Sequence, residues 1–238
     1  MIEKVQQIMK MVDHSLLSPT LTDQALIEGC EIAAKYHTAS VCVKPFHVKL
    51  AAKTLKDSDV VVGSVVGFPH GNSTTEIKAA ESEQILADGA VEVDMVVNIG
   101  KVLSKDWEYI RNEIFSLHEI TKKQNATLKV IFENDFLPDK NSKVTLCKIC
   151  SEIGVEFVKT STGYNYVKGS DGKYHYQGAT LEDLKLMIDN TAPTTQVKAA
   201  GHSGSLDIVL KIQAMGVTRT GTGQTKKLFE DAVEYFGK

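Results

Sequence analysis

The feature that most constrains the fold is a regular alternation of strand-like and helix-like segments along all 238 residues. Between eight short strand candidates, apolar residues recur at helical spacing. Such alternation is typical of a parallel sheet whose successive strands are connected by helices. The predicted strands are Lys10–His14, Ser40–Lys44, Val60–Val66, Val91–Asn98, Thr127–Glu133, Val155–Thr160, Thr195–Ala199 and Val217–Gly221.

Eight such units in a chain of this length favour a closed (β/α)8 barrel, which typically needs about 250 residues. The sequence therefore predicts an α/β protein with a TIM barrel, organised as one domain over residues 1–238 and beginning with a short amphipathic helix within Met1–Ser15. The alternative is an open doubly wound sheet. That fold often carries a GxGxxG motif after its first strand, and the sequence has none there.

Composition narrows the classes of partner. The net charge of −3 gives no global field that would attract nucleic acid or an anionic membrane surface. The sequence has no apolar run long enough to span a bilayer and no signal-peptide pattern at its start. Cys147 and Cys150 form a CxxC, but their spacing also places them on one buried helix face, which is the interpretation preferred here. These features predict a reduced, cytoplasmic protein without nucleic-acid or membrane partners.

Strand alternation predicts which side chains enter the barrel, because successive residues of a strand point to opposite faces. The inward set contains five charged residues from neighbouring strands, namely Asp94, Lys129, Glu133, Lys159 and Lys198. Barrel interiors are normally filled by Val, Ile and Leu, and a buried charge is costly unless it is paired. The set therefore predicts a functional site, although a salt-bridge layer that only fills the barrel is the alternative.

Two lysines on adjacent strands favour carbonyl chemistry. A second ammonium and burial both disfavour the charged form of a lysine, so one of Lys159 and Lys198 can present a neutral amine. A neutral lysine forms a Schiff base with an aldehyde, and the iminium accepts electrons when a carbon–carbon bond breaks. Asp94, partnered by Lys198, suits the accompanying proton relay. This chemistry requires no metal and no cofactor.

Outside the strands, the sequence predicts two Gly-rich turns, one hairpin and the starts of two helices. Gly-rich turns at Gly201–Gly204 and Gly221–Gly223 follow the last two predicted strands, where barrels commonly bind phosphate through backbone amides. Segment 164–178 predicts a β-hairpin that turns at Ser170–Gly172 and forms either a substrate wall or a surface excursion. Ser73 with Glu76, and Thr180 with Asp183, predict the starts of two helices.

Several segments, taken together and in order, resemble the 2-deoxyribose-5-phosphate aldolases. The resemblance extends over nearly the whole chain, and its most specific parts are the KTSTG and VKAAG segments. The matching segments are Asp13–Leu17, Val41–Val43, Phe68–Gly71, Glu92–Val96, Lys129–Glu133, Phe157–Gly163 and Val197–Gly201.

The resemblance implies a class I aldolase, a lyase that reversibly cleaves 2-deoxy-D-ribose 5-phosphate to D-glyceraldehyde 3-phosphate and acetaldehyde. It implies that Lys159 forms the Schiff base, that Lys198 lowers its pKa, and that Asp94 relays protons. It also implies a cytoplasmic homodimer or higher homo-oligomer that acts on small aldehydes and sugar phosphates in deoxyribonucleotide catabolism. The implied or expected substrate-binding residues are Asp13, Cys42, Lys129, Thr162, Gly201, Gly204, Ser205, Gly221 and Gly223.

This sequence departs from the family pattern where the family holds phosphate. His202–Ser205 replaces a Gly followed by Ile or Val and Arg, Gly221–Thr225 replaces a Gly-x-Ser-Ser pattern, and Tyr164 stands where some members have lysine. One hypothesis is that the amides of Gly204, Ser205, Gly223 and Gln224 still bind phosphate, aided by hydroxyls of Ser203, Ser205 or Thr225. The other is an aldolase of the same mechanism that uses a different aldehyde acceptor, including an unphosphorylated one.

Two rival classes remain at this stage. A non-catalytic barrel that binds sugar phosphates would not need a reactive lysine. A sugar-phosphate isomerase would use Glu133 or Asp94 as a base and would also not need Lys159. Trapping of an aldehyde on Lys159 by borohydride distinguishes the aldolase from both.

Overall fold

The computed structural model describes residues 2–237, and within them eight parallel strands close into a barrel. The predicted (β/α)8 fold is confirmed, and each predicted strand overlaps one observed strand. Around the barrel the order is β1 to β6, then β9 and β10, which pairs with β1. The barrel strands are β1 Val12–Leu16, β2 Ser40–Val43, β3 Val61–Val66, β4 Glu92–Val96, β5 Thr127–Ile131, β6 Phe157–Lys159, β9 Gln196–Ala200 and β10 Arg219–Thr222.

Helices follow the strands and form the outer layer. Two short 3-10 turns, Pro45–His47 and Asn134–Phe136, follow β2 and β5. The helices are α1 Ile2–Met9, α2 Asp23–Tyr36, α3 Val48–Thr54, α4 Thr75–Ala87, α5 Ile99–Leu103, α6 Trp107–Lys123, α7 Lys140–Ile153, α8 Leu181–Asn190, α9 Leu206–Met215 and α10 Thr225–Gly237. No helix within residues 2–237 has the length and apolar character needed to cross a membrane.

The main hydrophobic core lies between the barrel and the helices. Val93 and Met95 of β4, and Leu128 and Val130 of β5, are buried there with the inner faces of α4 and α6. These are the outward-facing positions that strand alternation predicted. The opposite positions point into the barrel, where polar side chains replace much of the usual aliphatic filling.

The N-terminal helix is shorter than the predicted segment. It ends at Met9, and Val12–Leu16 forms β1, because residues from Val12 onwards pair with both β10 and β2. Val5, Ile8 and Met9 pack in a second buried cluster with residues of α10. Met1, which belonged to the predicted segment, lies outside the described residues.

Helix starts show one correct and one wrong prediction. Thr180 caps α8, and its side chain accepts a hydrogen bond from the amide of Asp183. Ser73 does not cap α4; Thr74 does, and its hydroxyl accepts from the amide of Ile77. Adjacent hydroxyl residues offer two possible caps, and the helix here begins one residue later than predicted.

The predicted hairpin after β6 is confirmed. Strands β7 Val167–Lys168 and β8 Tyr174–His175 pair antiparallel, and the chain turns at Gly169–Gly172. The hairpin is tied to the carboxyl end of the barrel through Ala179, whose amide donates to the carbonyl of Gly201 at 3.0 Å. It therefore lies on the face where barrel enzymes place their active sites.

The CxxC pair lies inside a helix, as the preferred interpretation of its spacing predicted. Cys147 and Cys150 are fully buried free thiols on α7, in the core between helix and barrel. Burial raises the pKa of Cys147 to about 12 and that of Cys150 well above its ordinary value. Such thiols act as small apolar side chains.

Candidate active site

Lys159 is the last residue of β6, and its side chain points into the barrel. It is buried, and its Nζ lies 2.7 Å from Oδ2 of Asp94 on β4. In the strand register Lys159 is directly opposite Lys198 of β9. The two lysines were predicted to end adjacent strands; Lys159 does, whereas Lys198 lies in the middle of β9.

The environment of Lys159 favours its neutral amine. Burial disfavours the ammonium form and lowers the pKa of Lys159, the positive charge of Lys198 acts in the same direction, and Asp94 opposes both. A lysine is a nucleophile only when it is unprotonated. The direction of this shift is therefore the one that Schiff-base chemistry needs.

Asp94 and Lys198 are held in their charged forms. Oδ2 of Asp94 accepts hydrogen bonds from Lys159 and Lys198, each at 2.7 Å. Burial by itself would raise the pKa of Asp94, but the surrounding lysines hold it well below its usual range. Burial also disfavours the ammonium of Lys198, yet Asp13 and Asp94 outweigh this effect and raise its pKa. The pKa values of two lysines that share one carboxylate oxygen are thus shifted in opposite directions.

Beneath these residues the ion pairs continue toward the amino-terminal end of the strands. Lys129 lies 2.7 Å from Asp13 and 2.6 Å from Glu92, while Lys198 lies 2.5 Å from Asp13. Arg219 pairs with Asp13 and, at 2.9 Å, with Glu92. We call the whole set the ion cluster. Within the described chain it comprises Lys129, Lys159, Lys198, Arg219, Asp13, Glu92 and Asp94.

A cavity of about 430 Å³ opens above the ion cluster. Its walls come from the carboxyl ends of β1, β6, β9 and β10 and from the loops that follow them. Of the seven residues of the ion cluster, Lys159 alone lines this cavity in the described structure. A molecule that enters the cavity therefore meets one member of the cluster, and that member is the lysine whose pKa is lowered.

The predicted substrate-binding residues fall into two groups. The first group lines the cavity and consists of Thr162, Gly201, Gly204, Ser205, Gly221 and Gly223. The second group does not line it: Asp13 and Lys129 are buried in the ion cluster, and Cys42 is buried beside Leu17 and Val65. Burial raises the pKa of Cys42 to about 11, so its thiol stays neutral.

Glu133 does not join the ion cluster, contrary to the expectation from strand alternation. Strand β5 ends at Ile131, and Glu133 has a left-handed backbone with φ of 58°, which breaks the alternation. Its carboxylate instead accepts hydrogen bonds from the amide and hydroxyl of Thr162 and, at 2.8 Å, from Nδ2 of Asn165. Burial raises the pKa of Glu133. Its observed role is to hold the loop that carries Thr162 against the cavity.

The Gly-rich turns line the cavity, but several groups expected to bind phosphate are engaged elsewhere. The Ser203 hydroxyl lies 2.9 Å from that of Thr220, and the Thr225 hydroxyl lies 2.7 Å from Nδ1 of His14. The Gln224 amide donates to the hydroxyl of Thr222 at 3.0 Å. Ser205 begins α9 without capping it through its side chain in the described structure. The helix N-terminus at Ser205 therefore faces the cavity with its amides and hydroxyl available.

The hairpin supplies an aromatic support for the cavity wall. The hydroxyl of Tyr176 is buried next to Gly201, which has φ of 84° and could not carry a Cβ there without a clash at 1.8 Å. The ring of Tyr176 packs edge-on against His202, with centroids 4.9 Å apart. Tyr164 and His202 both line the cavity. The hairpin thus fixes the wall that contains the residues unlike the family pattern.

Gly201→Ala is expected to cost more stability than Gly172→Ala, although both glycines have positive φ. Alanine at either position adds a left-handed penalty of about 1–2 kcal/mol. At Gly201 it also collides with Tyr176, whereas no atom of the described residues lies within 4 Å of the added Cβ at Gly172. Overpacking should therefore lower the free energy of unfolding of Gly201→Ala by about 1–3 kcal/mol more. Urea denaturation of both variants measures the difference, and equal losses would show that Tyr176 does not pack firmly on this turn.

Sequence reasoning missed Arg219 and Tyr176. Nothing in the sequence paired Arg219 with Glu92, a residue 127 positions away. A signal for Arg219 was available in the eighth barrel strand. Arg219 is two residues before Gly221, which was expected to bind substrate, so strand alternation places both residues on the same face. Tyr176 carried no signal beyond its place in an aromatic hairpin.

Comparisons with known proteins agree with this geometry. A family model described as DeoC/LacD family aldolase matches residues 7–233. A deoxyribose-phosphate aldolase of Rhodopirellula baltica is 43% identical over 230 residues, which cover 97% of this chain and 91% of that protein. A deoxyribose-phosphate aldolase of Thermococcus kodakarensis is 38% identical over 229 residues, which cover 95% of this chain and 97% of that protein.

Solved structures give the same picture. A deoxyribose phosphate aldolase from Aeropyrum pernix, described as having a unique tetrameric structure, superposes with a TM-score of 0.85 and 25% identity over 96% of this chain and 92% of that chain. A structure described as QR15, an aldolase, gives a TM-score of 0.86 and 29% identity, covering 96% of this chain and 97% of that chain.

Proposed function

The chain belongs to the DeoC/LacD family of aldolases, and we propose that it reversibly cleaves 2-deoxy-D-ribose 5-phosphate to D-glyceraldehyde 3-phosphate and acetaldehyde through a Schiff base on Lys159. The observation that carries the role of Lys159 is its position: it is the one residue of the ion cluster that lines the cavity in the described structure. It is also a lysine whose pKa burial lowers.

The reaction begins when neutral Nζ of Lys159 attacks the C1 aldehyde of the open-chain sugar. Loss of water from the carbinolamine leaves an iminium between Nζ and C1. Removal of the proton from the C3 hydroxyl then breaks the C2–C3 bond, and the electron pair of that bond moves into the iminium to give an enamine. The C3 fragment leaves as D-glyceraldehyde 3-phosphate. Protonation of the enamine at C2 and hydrolysis of the new iminium release acetaldehyde and restore the amine.

Proton movement in these steps is assigned to Lys198 and Asp94. The pKa of Asp94 is held so low that this carboxylate accepts hydrogen bonds and stores no proton, whereas the raised pKa of Lys198 keeps an ammonium close to Lys159. Oδ1 of Asp94 is buried 3.5 Å from Nζ of Lys129, so Asp94 contributes to the relay through Oδ2, which holds Lys198 and Lys159 together. Lys198 thus supplies an ammonium beside Lys159 and Asp94 fixes its position, while a water molecule in the cavity carries the proton of the C3 hydroxyl to C2 of the enamine.

The phosphate is assigned to the turns at Gly204–Ser205 and Gly221–Gly223, at the end of the cavity formed by the loops after β9 and β10. The N-terminus of α9 at Ser205 supports this placement because its first amides are uncapped by side chains in the described structure and favour an anion. The phosphorylated sugar is preferred to an unphosphorylated acceptor on this ground. We also propose a cytoplasmic homo-oligomer that acts in the catabolism of deoxyribonucleotide sugars.

Borohydride trapping tests the proposal directly. Wild-type protein incubated with acetaldehyde and sodium borohydride is expected to gain one ethyl group, because the reduced iminium becomes a stable secondary amine. Peptide mass spectrometry should place the group on Lys159. A protein that turns over or binds the sugar phosphate without any trapped adduct would instead be an isomerase or a binding protein, and the aldolase mechanism would fail.

A further inference from the structure

The closed end of the barrel carries an ion pair that the proposed mechanism does not use. Arg219 and Glu92 are the first residues of β10 and β4. Nη2 of Arg219 donates to Oε1 of Glu92 at 2.9 Å, and Nη1 donates to Asp13. The guanidinium also lies 5.6 Å from the ring centre of Phe157. With its side chain 18% exposed, Arg219 is the member of the ion cluster most open to solvent, at the end of the barrel remote from the cavity.

Ion pairs connect this end of the barrel to Lys159 without interruption. The other oxygen of Glu92 lies 2.6 Å from Lys129, which lies 2.7 Å from Asp13. Asp13 is 2.5 Å from Lys198. The remaining links run from Lys198 to Asp94 and from Asp94 to Lys159, each over 2.7 Å.

We infer that Arg219 and Glu92 govern the protonation of Lys159 from the closed end of the barrel, an inference that rests on the proposed role of Lys159 as nucleophile. The reason is charge balance. Within the described chain the ion cluster holds four basic and three acidic side chains. It is electroneutral when Lys159 is a neutral amine and carries one excess positive charge when Lys159 is an ammonium. Uncompensated charge in a buried site is costly, so the cluster favours the reactive amine.

Four other ionisable groups around the ion cluster leave this balance unchanged near neutral pH. The thiol of Cys42 on β2 is uncharged, because burial raises its pKa to about 11. His14 on β1 is uncharged, because burial lowers its pKa to about 4. Tyr164 at the cavity has a raised pKa and stays neutral, and β3 contains no ionisable residue. Glu133 hydrogen-bonds to Thr162 and Asn165 and forms no ion pair with the cluster in residues 2–237.

The number of charged side chains in the ion cluster predicts how each substitution changes the protonation of Lys159. Arg219→Gln removes a cation, so the cluster becomes electroneutral with Lys159 protonated, and formation of the amine requires a higher pH. Glu92→Gln removes an anion and has the opposite effect. Arg219 is two strands from Lys159 across β9, a separation of about 10 Å. At an effective dielectric constant of about 20, one charge at that distance shifts the midpoint of Lys159 deprotonation by about one pH unit.

The test is the pH profile of Schiff-base formation. The amount of acetaldehyde trapped on Lys159 by borohydride in a fixed short time is measured by intact mass spectrometry for four proteins. Relative to wild type, the midpoint should rise by about one pH unit in Arg219→Gln and fall by a similar amount in Glu92→Gln. It should return to within a few tenths of a unit in the double variant, which restores electroneutrality.

A purely structural role for the pair predicts a different result. In that case each variant would lower the amount trapped at every pH without moving the midpoint, and the double variant would show no recovery; this result overturns the inference. Arg219→Lys keeps the charge and should keep the wild-type midpoint, and it remains informative if Arg219→Gln does not fold. Failure of the proposed function is distinguishable, because wild-type protein would then trap no acetaldehyde on Lys159 at any pH.

Discussion

Lys159→Met is expected to lower kcat/KM for cleavage of 2-deoxyribose 5-phosphate by at least about 10⁴-fold, a loss comparable with removal of a catalytic nucleophile in other enzymes. Without the amine no iminium forms, and the electrons of the C2–C3 bond have no acceptor. A coupled assay for released acetaldehyde measures the loss. Borohydride should then trap no adduct at position 159, and an adduct on Lys198 with activity retained would move the nucleophile to β9.

The same substitution should leave the fold intact, which is unusual for a change in a buried ion cluster. Methionine resembles the neutral amine in charge, so the cluster stays electroneutral. Lys159→Arg provides the matched control, because a guanidinium cannot lose its proton in a protein. We expect Lys159→Arg to be equally inactive but to have a lower free energy of unfolding than Lys159→Met, since it fixes one excess positive charge in the interior. Urea denaturation compares the two, and a reversed order would contradict the charge balance proposed for the cluster.

The fold and the centre of the site were predictable because both depend on short-range periodicity. In a parallel barrel, the parity of each strand decides which side chains face inward, and neighbouring strands then bring them together. This is sufficient to place Asp94, Lys129, Lys159 and Lys198 in one interior. The structure adds that Lys159 and Lys198 are directly opposite each other in the strand register, which strand alternation alone does not determine.

Strand alternation predicts the wrong direction for the side chain of Glu133. The sequence continues the alternating pattern of β5 through this residue, but a single left-handed conformation turns its side chain toward the loop of Thr162. Left-handed residues are most readily anticipated at glycine or asparagine, and glutamate gives no such signal. The misplacement of Glu133 therefore comes from backbone conformation and not from a wrong choice of strand.

The phosphate end of the cavity was less predictable for a different reason. Sequence reasoning counted the hydroxyls of Ser203 and Thr225 as available, but each has a buried partner from another strand or loop. The partner of Thr225 is His14, 211 residues away along the chain. Which polar groups remain free depends on contacts that β10 and the residues after it make with β1 and with the loop after β9, and no local pattern reports these contacts.

Wild-type protein is expected to cleave 2-deoxyribose 5-phosphate with a kcat/KM at least about 10³-fold higher than that for 2-deoxyribose. Binding of the phosphate, remote from the reacting bond, can be used to position C1 next to Lys159, so its loss lowers kcat as well as raising KM. Steady-state assays with both sugars measure the ratio. Similar values for the two sugars, with an adduct still trapped on Lys159, would favour an aldolase that uses a different acceptor.

Gly204→Ala tests whether the turn at Gly204–Ser205 is responsible for the preference for the phosphorylated sugar. A Cβ at Gly204 would lie 2.2 Å from the hydroxyl oxygen of Thr222, so the turn must shift and carry the uncapped N-terminus of α9 with it. We expect kcat/KM for the phosphorylated sugar to fall about 10- to 100-fold, the effect of losing one or two charge-assisted hydrogen bonds. Cleavage of the unphosphorylated sugar should change less than about threefold, because Lys159 lies on another strand. The matched control is Gly216→Ala at the opposite end of the same helix, where the added Cβ has no atom of residues 2–237 within 4 Å. This variant should keep the wild-type ratio of kcat/KM for the two sugars. Equal losses for both sugars in Gly204→Ala would mean that the turn shapes the whole cavity and is not a phosphate site.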